Sequence, residues 1–162
     1  SQKGVPFIPI RGLIGTDVLR YRDDWRVIDN PFSDQPDPIV LIPAIRPDIA
    51  IFHVPIADRD GNVWIGRRRE LATMAYASAA TLVTAERVID TSLFDNETTA
   101  AGTLPALYVT AVAIAPKGAW PYGLWSEYET DSAEIQRYAD AARTPEGFKQ
   151  YMAEQAQMER AG

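Results

Sequence analysis

Ile49-Ala50-Ile51-Phe52-His53-Val54 is an unbroken apolar run with one histidine in it. It shows no polar–apolar alternation, so it predicts a central parallel strand buried on both faces. Working outward, Asp58-Arg59-Asp60-Gly61-Asn62 is strong turn chemistry, and Val63-Trp64-Ile65 predicts a short returning strand. From about Arg69 to Ala80 the residues are helix formers, with Leu71, Met74, Ala75 and Ala79 at the spacing of one helical face. Thr81-Leu82-Val83-Thr84 predicts the next strand, and Leu107 to Ile114 a longer one. Strand, helix, strand, with mostly apolar strands, predicts an α/β fold whose largely parallel sheet is flanked by helices.

The ends of the chain read differently. Gly4, Pro6, Pro9, Gly12, Gly15, Asn30-Pro31, Pro36 and Pro38 leave no room for a long helix, so residues 1–38 are expected to be an irregular extended segment packing on a single domain that spans 1–162. Phe7, Ile8, Leu13 and Ile14 in that segment are too few to build a core of their own. They are expected to pack against a further portion of the protein or a partner subunit, with Gly15, Thr16 and Asp17 at the rim of a shared cleft, or else to fold back onto this chain's own sheet. Toward the other end, Asp131 with Glu134 forms a capping box, followed by an expected buried stripe of Ile135, Tyr138, Ala139 and Ala142. Thr144-Pro145-Glu146 starts a second helix, with Phe148, Tyr151 and Met152 as its stripe. Between these helices and the last strand, Pro116-Lys117-Gly118-Ala119-Trp120-Pro121-Tyr122-Gly123 predicts an aromatic loop suited to binding.

Composition narrows the chemistry. The 162 residues carry 16 Lys and Arg against 22 Asp and Glu, a net charge of −6. That balance argues against nucleic acid as a partner. No cysteine is present and His53 is the only histidine, which excludes a disulfide framework, a thiol nucleophile, a thiolate zinc site and a two-histidine metal site within this chain. No apolar run reaches the length of a membrane span, so no membrane association and a cytoplasmic location are expected. No nucleophile elbow, Walker loop or dinucleotide fingerprint occurs. A calcium loop counted from Asp58 fails, with Val63 where glycine is needed and Arg69 where glutamate is needed. His53 can reach a cleft at the end of its strand, or can be a core histidine satisfied by a backbone partner. Arg67-Arg68-Arg69 can meet a phosphate-bearing ligand or an acidic partner, or can be a solvated basic turn.

Several segments together resemble the alpha-type subunit of family I coenzyme A transferases, of the glutaconate CoA-transferase kind. They are Gly4-Val5-Pro6-Phe7 with Gly15-Thr16-Asp17, then Arg46-Pro47-Asp48-Ile49-Ala50-Ile51-Phe52-His53 and Ala57-Asp58-Arg59-Asp60-Gly61-Asn62-Val63. Ala85-Glu86-Arg87-Val88-Ile89, Ala115-Pro116-Lys117-Gly118-Ala119-Trp120-Pro121 and Tyr128-Glu129-Thr130-Asp131 complete the pattern. The resemblance covers the carboxy-terminal half of such a subunit, and the Ser1 opening, with no methionine before Met74, fits a piece of something longer.

The resemblance implies the CoA-transferase fold, incomplete here, and an enzyme that works as a hetero-oligomer. Its partners would be a beta-type subunit, the amino-terminal half of the alpha-type subunit, and acyl-CoA. Coenzyme A is implied as substrate, with no bound cofactor and no metal. In the family a glutamate of the beta partner, in a Ser-Glu-Asn-Gly-type segment, attacks the thioester and becomes a glutamyl-CoA thioester. No glutamate here is followed by Asn-Gly, so no residue of this chain is assigned as catalytic. Gly15, Thr16, Asp17, His53 and Trp120 are the candidate substrate-binding residues. Two other functions stay open: a related hydrolase that opens a ring of a CoA-linked substrate, and a non-catalytic module for assembly or ligand sensing.

Overall fold

The computed structural model describes the backbone of residues 4–161 and the side chains of residues 4–157. In chain order the elements are β1 (Phe7–Ile10), a 3-10 turn at Asp17–Tyr21, β2 (Arg26–Asp29), β3 (Pro38–Pro43), β4 (Ile49–Asp58), β5 (Val63–Trp64), α1 (Arg69–Ala77), β6 (Ala80–Ile89), α2 (Glu97–Ala100), β7 (Thr103–Leu104), a 3-10 turn at Ala106–Tyr108, β8 (Ala111–Ile114), α3 (Ser132–Ala141) and α4 (Pro145–Ala161).

The main sheet has the order β7-β5-β4-β6-β8, with the apolar run of β4 at its centre. β4 pairs β6 in parallel, β6 pairs β8 in parallel, and the short β5 returns antiparallel after the Asp58–Asn62 turn. One face of this sheet carries Ala50, Phe52, Val54, Val83 and Ala85 into a core closed by Ala72 and Ala75 of α1. Small side chains on the helix let its backbone approach the bulky, β-branched strands closely. The stripe expected of α1 holds in part: Ala75 is buried and Leu71 packs against the core, but Ala72 joins them on the sheet side and Met74 lies open to solvent.

The expectation that β4 is buried on both faces is corrected. Phe52 is buried, but Ile51 is 68% exposed and Ile49 is 51% exposed. The apolar run marks a strand whose second face the described residues leave uncovered at Ile49 and Ile51, while the loop after β8 covers it at His53. The strand expected from Leu107 is shorter too. Residues 106–108 form a 3-10 turn, and pairing with β6 begins only at Ala111.

The first 38 residues are more regular than expected. β1 and β2 flank β3 in a separate antiparallel sheet of order β1-β3-β2, where Val40 sits opposite both Ile10 and Val27 and is fully buried. The prolines do not forbid it. Pro9 lies on an edge strand, and Pro38 and Pro43 stand at the ends of the central one, the positions where a missing N–H is tolerated. The Asp37 carboxylate ties the sheet together by pairing with Arg11 and accepting from Asn30 Nδ2 at 2.8 Å. Phe7 and Ile8 remain exposed on it, and Ile14, in the turn after β1, is exposed as well.

Both helix starts at the far end are as read. Asp131 accepts from the Glu134 N–H at 3.0 Å, and Thr144 Oγ1 accepts from the Gly147 N–H at 3.1 Å. The stripes are not buried as expected: Tyr138, Phe148 and Met152 are exposed, and Tyr151 alone of the named aromatics is buried. A polar centre joins α3 to α4 instead, with Glu134 accepting from Arg137, Tyr151 and Gln155.

Candidate functional site

The parallel register of β4 and β6 sets His53 beside Thr84, and alternation puts Glu86 on the same face two residues later. The three side chains form one chain of hydrogen bonds. His53 Nδ1 lies 2.8 Å from Thr84 Oγ1, and Nε2 lies 2.7 Å from Glu86 Oε1. Only 12% of the His53 side chain and 10% of the Glu86 side chain reach solvent. Opposite a carboxylate, Nε2 of a neutral ring carries the proton, so Nδ1 accepts from the Thr84 hydroxyl.

The loop after β8 closes over this cluster. The Lys117 N–H donates to Glu86 Oε2 at 2.7 Å. Tyr128 donates its hydroxyl to Glu86 Oε1 at 2.8 Å and accepts from the Ala119 N–H at 2.9 Å. Gly118 lies directly on the imidazole: a Cβ there would stand 2.6 Å from His53 Cε1. Lys117 adopts a left-handed φ of 58°, which costs a residue with a side chain about 1–2 kcal/mol. Its ionic hydrogen bond to Glu86 offsets that cost.

Burial pushes the Glu86 carboxyl up. The Lys117 N–H, the Tyr128 hydroxyl and His53 outweigh it and hold the carboxyl below its ordinary range. Tyr128 moves the opposite way, raised by burial and by donating to a carboxylate. A hydroxyl–imidazole–carboxylate order can draw a proton from the hydroxyl. Here, though, the carboxylate also carries two bonds to the loop. Glu86 is thus a latch between sheet and loop rather than a free nucleophile.

The candidate residues do not all meet. His53 and the backbone before Trp120 come together, while the Trp120 indole turns outward to donate to Asp131 Oδ2 at 3.3 Å. Gly15 and Thr16 lie on the loop after β1, and Asp17 opens the 3-10 turn that follows. Thr16 Oγ1 donates to the Leu13 carbonyl at 2.6 Å, and Asp17 pairs with Arg20 at 3.0 Å. Among the described residues no hydrogen bond or ion pair joins them to His53 or Trp120. Arg67, Arg68 and Arg69 make no ion pair among the described residues, and Arg69 Nη2 donates to the Ala101 carbonyl at 2.9 Å. No group of three or more His, Asp or Glu placed to hold a metal occurs among them either. A depression of about 530 Å³ over the Asp58–Gly61 turn has neither His53 nor Glu86 in its wall.

Reading along the chain misses Thr84, Glu86 and Tyr128 because they lie 31, 33 and 75 positions after His53, and only strand pairing and loop closure bring them near. The signal that would have found Glu86 is the pairing itself. Once two apolar strands are taken as parallel neighbours, a Thr-x-Glu on one stands opposite a histidine on the other.

No family model matches the sequence. A protein of Archaeoglobus fulgidus described as uncharacterized is 36% identical over 91% of this chain and 32% of its own length. The A-type subunit of the 3-oxoadipate CoA-transferase of Pseudomonas knackmussii is 30% identical, with 93% of this chain and 52% of that protein covered. The cholesterol ring-cleaving hydrolase IpdA subunit of Rhodococcus jostii is 30% identical over 92% and 53%. Among solved structures, glutaconate coenzyme A-transferase from Acidaminococcus fermentans superposes with a TM-score of 0.80 at 27% identity, covering 94% of this chain and 53% of that one. The decarboxylase AibA/AibB superposes with a TM-score of 0.77 at 25% identity, over 94% and 55%. The chain spans about half the length of the named enzyme subunits it matches. Its α/β fold, with parallel pairing of β4, β6 and β8, is that of glutaconate CoA-transferase, and over nine-tenths of its length the chain is similar to A-type CoA-transferase subunits.

Proposed function

We propose that this chain is one portion of a CoA-transferase alpha-type subunit, and that with a beta-type partner it moves coenzyme A between an acyl-CoA thioester and a carboxylate. The observation that carries this reading is the match to an A-type CoA-transferase subunit across nine-tenths of the chain, together with the glutaconate CoA-transferase fold. The attacking carboxylate comes from the partner. It displaces CoA thiolate from the thioester to give a mixed anhydride, and the thiolate then adds to the glutamyl carbonyl and releases the first carboxylate. A second carboxylate reverses the sequence. Coenzyme A is a substrate in this scheme and no bound cofactor is required. The occupied Glu86 supports a nucleophile from elsewhere, since its oxygens already accept from His53, Tyr128 and Lys117. Gly15, Thr16, Asp17, His53 and Trp120 contribute to the substrate side, His53 by fixing the loop that Trp120 belongs to.

A second reading is favoured by the ring-cleaving hydrolase among the relatives. There water takes the place of the acceptor carboxylate and a carbon ring of a CoA-linked substrate opens. One assay separates the two. A family-length alpha-type subunit containing this chain, paired with a beta-type subunit, is given acyl-CoA with and without a second carboxylate in ¹⁸O-water. A new thioester that requires the added carboxylate is expected. Ring opening with ¹⁸O uptake and no acceptor would establish the hydrolase instead. The 162-residue chain alone is expected to be inactive, and robust transfer by it would overturn the assignment of the nucleophile to a partner.

A further inference from the structure

The loop after β8 has nearly all of its hydrogen-bonding groups engaged. The Lys117 N–H donates to Glu86 Oε2 and the Ala119 N–H to the Tyr128 hydroxyl. The Gly118 N–H donates to the Ala115 carbonyl at 3.0 Å, and the Trp120 N–H to the Lys117 carbonyl at 2.9 Å. The Trp120 indole donates to Asp131 Oδ2. From Pro116 to Pro121 one polar side-chain group is left without a hydrogen bond or ion pair among the described residues, the Lys117 ammonium. The acids that hold the loop are occupied as well: Glu86 by the latch, Glu127 by Arg87, and Asp131 by the indole and the Glu134 N–H.

Lys117 also sits in a conformation unfavourable to a side chain. Its φ of 58° is free to glycine, and glycine is the next residue. Strain retained where one substitution would relieve it points to a use for the side chain. The bond from the Trp120 N–H to the Lys117 carbonyl closes a turn, which brings the two Cα atoms within about 7 Å. Lys117 is exposed, and Trp120 is 39% exposed. A cation and an apolar ring thus share one turn on the outer side of the latch, on a backbone pinned at four successive N–H groups.

We propose that Lys117 and Trp120 form the binding site for the carboxylate substrate, the ammonium taking one carboxylate oxygen and the indole face an apolar carbon stem. The proposal rests on the transferase reading and adds the substrate class, a monocarboxylic acid with an apolar chain. An ammonium is a point donor, so the second oxygen stays free for the transfer step. The Asp131 carboxylate behind the indole repels a second anionic end, which sets this acid apart from a dicarboxylate of the same length. Phosphate oxygens of coenzyme A offer an ammonium the same chemistry, so the test carries an arm for them.

The family-length alpha-type subunit containing this chain, paired with a beta-type subunit, is given acetyl-CoA and either hexanoate or adipate. We expect a lower KM for hexanoate than for adipate. Lys117→Met keeps the length and removes the charge. It should raise the hexanoate KM about three- to five-fold, the range of one exposed ion pair, with kcat and the acetyl-CoA KM unchanged. Lys117→Arg should stay near the wild type. Lys117→Gly relieves the strain, so it should lose the same affinity without lowering the unfolding midpoint. An unchanged hexanoate KM in Lys117→Met overturns the proposal, and so does a lower KM for adipate than for hexanoate. A rise confined to acetyl-CoA and absent with acetyl-pantetheine also overturns it, assigning Lys117 to a phosphate. Equilibrium binding of ¹⁴C-hexanoate is read beside turnover. Binding weakened by Lys117→Met in an assembly that transfers no CoA keeps the site and discards the transferase reading. Binding indifferent to Lys117 overturns the site whether or not CoA is transferred.

Discussion

Replacing Glu86 with alanine removes one carboxylate and leaves three donors without their acceptor: His53 Nε2–H, the Tyr128 hydroxyl and the Lys117 N–H. Hydrogen bonds to a charged group contribute about 1.5–3 kcal/mol each. The Lys117 N–H belongs to an exposed stretch and turns to water when released, so the expected net loss is about 3–5 kcal/mol. For a chain of this size that corresponds to a fall of roughly 6–20 °C in Tm. Glu86→Gln is the sharper probe. Its oxygen can still take the Lys117 N–H, but its NH2 then faces His53 and Tyr128. The imidazole can accept that N–H by moving its proton from Nε2 to Nδ1, where it donates to Thr84. The expected cost is only about 1–2 kcal/mol, accompanied by a change of tautomer. Because His53 is the only histidine, its ring ¹⁵N resonances report the tautomer without assignment work. An unchanged tautomer in Glu86→Gln, with an unchanged midpoint in Glu86→Ala, would refute the latch.

Three further outcomes can be measured. Asp58 accepts from the N–H groups of Asp60, Asn62 and Leu93 and from Asn62 Nδ2, all within 3.0 Å, so Asp58→Ala should cost about 3–5 kcal/mol by denaturant unfolding. Gly118→Ala forces a methyl into the His53 ring, and should release the loop, seen as faster amide exchange at Lys117 and Ala119, at about 1–3 kcal/mol. Burial raises the Asp58 and Glu86 carboxyls, but the N–H and O–H donors around each prevail and hold both below their ordinary range. The stability they contribute is therefore complete above the unfolded carboxyl range near pH 4 and is lost as pH falls through their lower folded values. A pH titration of the unfolding free energy should be steepest there, and less steep in Asp58→Asn.

The parts of the fold that were legible are those set by local chemistry. The turn at Asp58, the caps at Asp131 and Thr144 and the apolar strands all announce themselves within a few residues. The first sheet was not legible, because Pro9, Pro38 and Pro43 read as breakers until their places at an edge and at strand ends are known. Burial was not legible either. Ile51 and Phe52 are equally apolar, and only the one-sided position of α1 separates them. The histidine stood out in the sequence while its carboxylate did not, since Glu86 gains its meaning from a pairing 33 residues long.

The two sheets also differ in the order in which they can assemble. Asn30 and Asp37, which bond across the β2–β3 turn, are seven residues apart, so this hairpin closes a short loop and can form early. The parallel pairs must first bring together His53 with Thr84, 31 residues on, and Thr81 with Thr110, 29 residues on. Each doubling of loop length adds only about 0.6 kcal/mol to the closure entropy, but that cost precedes any contact the closure creates. During this delay, the strand edges of β4 and β6 stand unpaired in a nascent chain whose hairpin is already formed, and their β-branched runs are the segments a chaperone would engage first.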